Sequence, residues 1–189
     1  MTDVPFPDHT LESAPPGSRR IMAAMADRGG HVPPAVARLA ASPQLLDAFL
    51  KASGLFENTS LDPVAREVVI LTIAARNRCH VCVAMHTAKL AALGAGADLI
   101  AALRDQRPLP GERLAALQDF TLDVVAAAGA VSPRSLEAFL SHGYTAQNAL
   151  EVVLGIGTYT MSTLANRLTG APLDEQFRAF AWTEPVAVP

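Results

Sequence analysis

The chain has 189 residues, of which 50% are apolar and only 5% aromatic, and a formal net charge of −3. This length suits one domain, and apolar runs separated by Gly and Pro, with little strict alternation of polar residues, predict an all-α protein. The acidic balance argues against a nucleic-acid partner, and apolar runs such as 68–71 fall far short of the ~20 residues that cross a membrane.

The sequence predicts an extended N-terminal arm over residues 1–17, followed by one helical domain over residues 18–189. The first sixteen residues contain four prolines and lack the basic and apolar segments of a secretory signal. We therefore expect a cytoplasmic protein. In a reducing cytosol, two cysteines close in sequence are more often a redox or metal-binding device than a structural disulfide.

Two parts of the chain are similar in sequence. SPQLLDAFL at 42–50 and SPRSLEAFL at 132–140 agree at six of nine positions, and EVVILTIA at 67–74 is answered by EVVLGIGT at 151–158. A repeat of this kind indicates a duplicated structural unit.

Each repeat unit is predicted to contain a short helix capped by Ser-Pro, then a turn, then a long apolar helix. The two units cover about 42–94 and 132–170. The segments 97–106 and 111–129 between them also have helical periodicity. Together these elements predict a helical bundle of about seven to nine helices with an internal repeat.

Within the first unit, the sequence predicts two successive helices. Asp62 is a suitable N-cap and Pro63 a suitable first residue for a buried helix, which should break at Asn77. A second helix should then begin near Cys79, in its first turn, and stop at Gly94.

The second helix carries a chemically distinctive stripe. Cys79, Cys82 and His86 lie three and four residues apart, so they share one face, which Leu90 and Leu93 continue as core. Cysteines at this spacing can approach disulfide geometry, and His86 is one turn from Cys82. We expect the dithiol to be partly sheltered, at the edge of packed apolar surface.

A turn at Asn77 would fold the two helices back on each other and place Glu67 near His86. Apolar surroundings would raise the pKa of such a carboxyl group, so that Glu67 and His86 could exchange protons with a thiol and a leaving group. A thiol at a helix N-terminus and beside a histidine is a reactive thiolate that attacks peroxides. His86 favours Cys82 as the attacking sulfur, whereas the helix N-terminus favours Cys79.

The repeat provides an internal comparison for these residues. At an offset of 84, Cys79, Cys82 and His86 correspond to Thr163, Asn166 and Gly170 in the second unit, whereas Glu67 corresponds to Glu151. Because the acid recurs without the thiols, a structural role for Glu67 stays open.

Other roles for the motif also stay open. Both cysteines could be inert core residues. A zinc site would use Cys79, Cys82 and His86, with Glu67 as a fourth ligand. A dithiol redox adaptor or sensor would exchange disulfides without turning over peroxide.

The spacing of Glu67, Cys79, Cys82 and His86 resembles the active-site pattern of the alkylhydroperoxidase D-like, peroxidase-related branch of the carboxymuconolactone decarboxylase family. The resemblance extends over most of residues 20–178. It implies an all-α fold with an internal repeat and a homo-oligomer, a trimer or hexamer.

The same resemblance implies an oxidoreductase, an antioxidant peroxidase that reduces alkyl hydroperoxides through a dithiol/disulfide cycle. Glu67 and His86 would form its proton relay, no metal or cofactor would be required, and a dithiol or a lipoylated protein would be the reductant. Val81 stands where members often carry Tyr or His, so polar help from that position is missing. The decarboxylases of the family generally lack the cysteine pair, which argues against lactone decarboxylation.

Overall fold

The computed structural model describes residues 6–185, and within this range the chain folds into nine α-helices and one 3₁₀ helix, with no strand. The all-α prediction is confirmed. The helices are α1 (Pro16–Gly29), α2 (Pro34–Leu39), α3 (Pro43–Glu57), α4 (Pro63–Arg76), α5 (His80–Ala92), α6 (Ala97–Arg104), α7 (Glu112–Ala126), α8 (Pro133–Ser141) and α9 (Ala146–Thr169), followed by the 3₁₀ helix (Glu175–Phe180). None of them combines the length and the apolarity that a membrane crossing needs.

The described part of the N-terminal arm packs on the helices that follow it. Residues 11–13 form a turn, Ala14 is buried in a cluster with Met22 and Leu46, and α1 begins at Pro16. The first five residues of the predicted arm lie outside the described range.

Three helices begin as their sequences predict. The side-chain oxygens of Ser42, Asp62 and Ser132 each accept a hydrogen bond from the backbone N–H three residues further on, and a proline follows each cap. After α8, Gly143 adopts the left-handed conformation (φ 84°) that a helix-ending glycine permits.

Helix α4 is the centre of the bundle. Every residue from 67 to 75 is buried, and α4 packs against α3, α5, α6, α7 and α9. An apolar sequence that runs round the whole helix requires burial on all sides, as predicted from residues 68–75.

The break between α4 and α5 lies at residues 77–79, where the sequence predicts it. The left-handed residue of the turn is Arg78 (φ 56°) rather than Asn77, whose side-chain amide instead donates a hydrogen bond to Thr163 Oγ1 at 2.9 Å. This bond ties the turn to α9. Cys79 becomes the N-cap of α5, one residue before its first turn.

The second unit follows the first with one change. Helix α8 takes the place of α3, but α9 continues unbroken through the register where the first unit divides into α4 and α5. Helix α9 starts at a capping box in which Thr145 and Asn148 each bind the other's backbone N–H.

Gly155 allows α9 to approach α3 and α4 closely. A Cβ atom at this position would lie 2.6 Å from the ring of Phe56 and 3.0 Å from Val69 Cγ1. Phe56 is fully buried, so its ring has no free space into which to move.

Gly155→Ala is therefore expected to destabilise the fold by about 1–3 kcal/mol through overpacking. Gly54→Ala in α3 is the matched control, because a Cβ there meets nothing within 4 Å, and helix propensity should make it stabilising by about 0.5–1 kcal/mol. Urea unfolding of both variants measures the difference. Equal stabilities of the two variants would contradict the close packing at Gly155.

Candidate active site

The centre of the site is a buried carboxylate–histidine pair. His86 Nδ1 lies 2.8 Å from Glu67 Oε2, and the two residues are 5% and 0% exposed. Since a carboxylate only accepts hydrogen bonds, Nδ1 carries the proton and Nε2 remains for proton transfer. The fold-back at residues 77–79 therefore brings Glu67 to His86, as predicted.

Lys89 completes the surroundings of Glu67. Its Nζ lies 3.0 Å from Glu67 Oε1 and also contacts Glu57. Burial raises the pKa of Glu67, but the hydrogen bonds and charges of His86 and Lys89 lower it by a larger amount. The net result is a pKa below the ordinary value of a glutamate. The expectation of a raised pKa is wrong, because His86 first and Lys89 second lower the pKa by more than burial raises it. Glu67 is ionised at neutral pH.

The two cysteines are free thiols in direct contact. Their sulfur atoms are 3.0 Å apart, with Cys79 at the N-cap of α5 and Cys82 in its first turn. Both side chains are buried, at 1% and 0% exposure. The dithiol is thus fully covered in the single chain, more than the expected partial shelter.

The contact divides the two thiols into a more and a less acidic one. Contact with the Cys82 thiol lowers the pKa of Cys79 against the opposing effect of burial, helped by nearby backbone N–H groups of the first turn and by Asn166. The Cys79 contact and burial together raise the pKa of Cys82 well above its ordinary value. When the resting dithiol has lost one proton, the negative charge is therefore on Cys79.

Two side chains of α9 contact the second sulfur. Asn166 Nδ2 donates to Cys82 Sγ at 3.3 Å, and Ser162 Oγ lies 3.9 Å from the same atom. Among the described residues, the hydrogen-bond partners of Cys82 Sγ are these two and Cys79. His86 is not one of them, because its ring is turned towards Glu67 on α4. The expected direct proton exchange between His86 and Cys82 is thus not present in this geometry.

Asn166 and Ser162 were missed as site residues, although the repeat contained a signal for the first. The register that aligns the two units places Asn166 opposite Cys82, and in the fold these counterparts touch. The other counterpart pair differs: Glu151 accepts hydrogen bonds from Ser60, Gln147 and Asn148 and so fastens the loop before α4. Of these two glutamates, Glu67 alone is paired with a histidine.

A cavity of about 330 Å³ adjoins these groups. His86, Lys89, Tyr159, Ser162 and Asn166 contribute to its wall, and the ring of Tyr159 meets that of His86 edge-on with centroids 5.2 Å apart. Most of the remaining wall is apolar. Its apolar residues are Met25, Pro33, Ala35, Val36, Leu39, Leu46, Phe49, Leu50, Val81 and Met85.

Two smaller expectations also have outcomes. Leu90 is buried as predicted, but Leu93 is 41% exposed and does not continue the core stripe, because α5 ends before it.

Within residues 6–185, no three His, Cys, Asp or Glu side chains are grouped so that they could hold a metal ion. The zinc alternative therefore has no ligand set in this part of the chain.

Residues 43–118, which include α3 to α5 and all four predicted site residues, match the model of the carboxymuconolactone decarboxylase family. Over this segment, the predicted resemblance to the family is confirmed. The matched segment covers the first repeat unit and the connection that follows it. Among curated proteins, none is a significant sequence match to the whole chain.

Solved structures share the fold over almost the whole length. An uncharacterised peroxidase-related protein from Ralstonia eutropha JMP134, with an alkylhydroperoxidase AhpD core, superposes with a TM-score of 0.78 at 24% identity, covering 91% of this chain and 93% of that chain. A peroxidase-related protein from Silicibacter sp. TM1040 gives 0.73 at 19% identity, covering 93% and 92%. At such identities, the likeness establishes the alkylhydroperoxidase D-like fold.

The same fold carries more than one chemistry. The debrominase Bmp8 in complex with 2,3,4-tribromopyrrole superposes with a TM-score of 0.69 at 14% identity, covering 95% of this chain and 96% of that chain. Family and neighbours thus include a decarboxylase, peroxidase-related proteins and a debrominase. The reaction of this chain has to be argued from its own side chains.

The thiol pair is expected to lose its first proton below the ordinary thiol pKa and its second well above it. In Cys82→Ala, the contact that lowers the pKa of Cys79 is gone while burial remains, so the single thiol should titrate at a higher pH than the first thiol of the wild type. Thiolate ultraviolet absorbance against pH measures both curves. A first ionisation that stays unchanged in Cys82→Ala would contradict the contact as its cause.

Proposed function

We propose that the protein is a thiol-dependent peroxidase that reduces organic hydroperoxides. One observation carries the proposal: a contacting dithiol and a buried Glu67–His86 pair stand beside one largely apolar cavity. The dithiol supplies two electrons, the pair moves protons, and the cavity can hold the organic group.

The reaction balances with the dithiol alone. A thiolate attacks the terminal peroxide oxygen, a sulfur–oxygen bond forms, the oxygen–oxygen bond breaks, and the alkoxide leaves and takes up a proton as the alcohol. The product on sulfur is a sulfenic acid. The second thiol then attacks that sulfur, a disulfide forms, and water is released, so the protein loses two electrons and two protons.

We assign the attack to Cys82 and the resting charge to Cys79. Cys82 contacts Ser162 and Asn166, which line the cavity, and these two contacts act to lower its pKa. The proton on Cys82 can pass to Cys79 across the 3.0 Å sulfur contact. Neither cysteine lines the cavity itself, so the attack requires a side chain between them and the cavity to move. We assign this movement to Ser162, which contacts Cys82 and lines the cavity.

His86 and Glu67 then serve the leaving group. His86 lines the cavity and holds its Nδ1 proton on an ionised carboxylate. With Nδ1 engaged by this carboxylate, Nε2 is the ring nitrogen that can take a proton and return it to the departing alkoxide.

The burial of both sulfurs favours a slender reductant. A protein dithiol cannot easily bring its own sulfur to side chains that are 0–1% exposed, whereas a lipoyl group on a flexible arm or a small dithiol can enter through the cavity. The same burial disfavours the alternative of a redox adaptor that exchanges disulfides directly with large partners.

Cys79→Ser and Cys82→Ser are each expected to abolish turnover of cumene hydroperoxide with dihydrolipoamide as the donor. Glu67→Gln should lower kcat about 10²-fold because the proton relay loses its charge. Glu151→Gln, at the corresponding position of the second unit, is the matched control and should keep kcat per folded molecule. Unchanged activity in both cysteine variants would end the proposal.

Single-turnover trapping separates the roles of the two sulfurs. After one equivalent of cumene hydroperoxide, Cys79→Ser should accumulate a dimedone-reactive sulfenic acid at Cys82. Faster formation at Cys79 in Cys82→Ser would reverse the assignment but keep the peroxidase.

The proposal includes a homo-oligomer, for which the family resemblance implies a trimer or hexamer. Its support is one face of α9, where Leu150, Val153, Leu164 and Leu168 are 49–73% exposed in the single chain. Their spacing returns each side chain to the same side of the helix, and exposed apolar side chains grouped on one face are typical of interfaces.

Leu164→Glu is expected to lower the assembled mass, because a carboxylate would be buried in the interface without a partner. Leu55→Glu, at a 65% exposed leucine on α3, is the control and should leave the mass unchanged. Light scattering after size-exclusion chromatography measures both. A monomeric wild-type chain would contradict this part of the proposal.

A further inference from the structure

We propose that Asn166 binds the head group of the hydroperoxide and aligns it with Cys82. Its side-chain oxygen accepts the hydrogen bond of the peroxide O–H, while its side-chain nitrogen donates to the Cys82 sulfur. The apolar part of the cavity takes the organic group. This inference rests on the proposed peroxidase function and adds the residue that positions the substrate.

The first observation is an unsatisfied buried atom. Asn166 is only 5% exposed, and its Oδ1 has no hydrogen-bond partner within residues 6–185, whereas Nδ2 lies 3.3 Å from Cys82 Sγ. A buried amide oxygen without a donor is unfavourable. Since Asn166 lines the cavity, a molecule that enters it can supply the missing donor.

The second argument is the geometry of the amide group. Its two polar atoms are fixed in one plane, so Asn166 can accept from a bound donor through Oδ1 while Nδ2 donates to Cys82 Sγ. In a hydroperoxide, the O–H hydrogen is on the terminal oxygen, which is the oxygen that a thiolate attacks. One side chain can thus hold the reacting oxygen next to the reacting sulfur, as a near-attack geometry requires.

The cavity defines the rest of the ligand. Its volume of about 330 Å³ is near the lower limit of typical ligand pockets, about 300–1,000 Å³. The charged groups at its wall, Lys89 and Glu57, are paired with each other, so they are not available for an ionic substrate. The fitting substrate is a neutral hydroperoxide with a compact apolar group, either aryl or branched alkyl, rather than hydrogen peroxide.

Asn148 shows what a purely structural asparagine looks like on the same helix. It is 8% exposed, its side-chain oxygen accepts hydrogen bonds from Thr145, and its side-chain nitrogen donates to Ser60 and Glu151. Its amide oxygen and nitrogen are both engaged within the protein. Asn166 differs because its amide oxygen is buried without a partner among the described residues and its side chain lines a cavity.

The test compares Asn166→Leu, Asn166→Asp and Asn148→Ala with the wild type. Kinetics with cumene hydroperoxide give kcat and KM, and calorimetry gives the affinity for cumyl alcohol, whose O–H group can donate to the same oxygen. Asn166→Leu keeps the size of the side chain but loses both polar atoms. It is expected to lower kcat/KM about tenfold or more and to weaken cumyl alcohol binding.

Asn166→Asp separates the acceptor from the donor. It should retain cumyl alcohol affinity, because an acceptor oxygen remains, while the pH–rate profile moves to higher pH, because the added charge disfavours the thiolate. Asn148→Ala should lower thermal stability without changing KM or alcohol affinity.

Wild-type KM and cumyl alcohol affinity in Asn166→Leu would overturn the inference. That result differs from failure of the proposed function, which would appear as absent peroxide turnover in the wild type. Equal kcat/KM for hydrogen peroxide and cumene hydroperoxide would overturn the assignment of the apolar group.

Discussion

The burial of the Glu67 carboxylate is the constraint on which the site depends. An ionised carboxylate in the middle of a bundle is unfavourable unless partners compensate for the water that it has lost. Helix α4 contributes no such partner from its own buried face. The hydrogen bond from His86 and the ammonium group of Lys89, both on α5, supply the compensation. The pairing of α4 with α5 is therefore electrostatic as well as apolar, and it sets the position of the whole dithiol helix.

A similar limit on buried charge applies to the two sulfur atoms. Two buried thiols in contact can hold one negative charge between them, because the protonated partner donates to the ionised one, but a second charge would be strongly disfavoured. The N-terminus of α5 draws that charge to Cys79, Ser162 on α9 draws it to Cys82, and Asn166 on α9 favours a charge on either sulfur. Two opposing attractions across a 3.0 Å contact make the pair suitable for moving a proton within itself.

The duplicated pattern explains why α9 is the partner of the dithiol. In the first unit, the chain breaks at residues 77–79 and produces a helix N-terminus for Cys79. In the second unit, the equivalent stretch continues as helix and presents polar side chains, Thr163 to the turn and Asn166 to Cys82. One unit thus carries the dithiol and the Glu67–His86 pair, and the other carries side chains that contact them. The domain boundaries and units themselves remain predictions from the sequence.

Local sequence was sufficient for the all-α class, the serine and aspartate caps, the buried α4 and the fold-back that joins Glu67 to His86, because caps, turns and helical periodicity act over a few residues. It was also sufficient for the four residues that carry the family pattern. Only the tertiary structure decided the lowered pKa of Glu67, the full burial of the thiols, the separation of His86 from Cys82 and the contact of Asn166 with the sulfur. Each of these depends on side chains that are far apart in the chain or on the direction in which a ring turns. Helical periodicity specifies which residues share a face, whereas the packing of α4, α5 and α9 determines what that face meets.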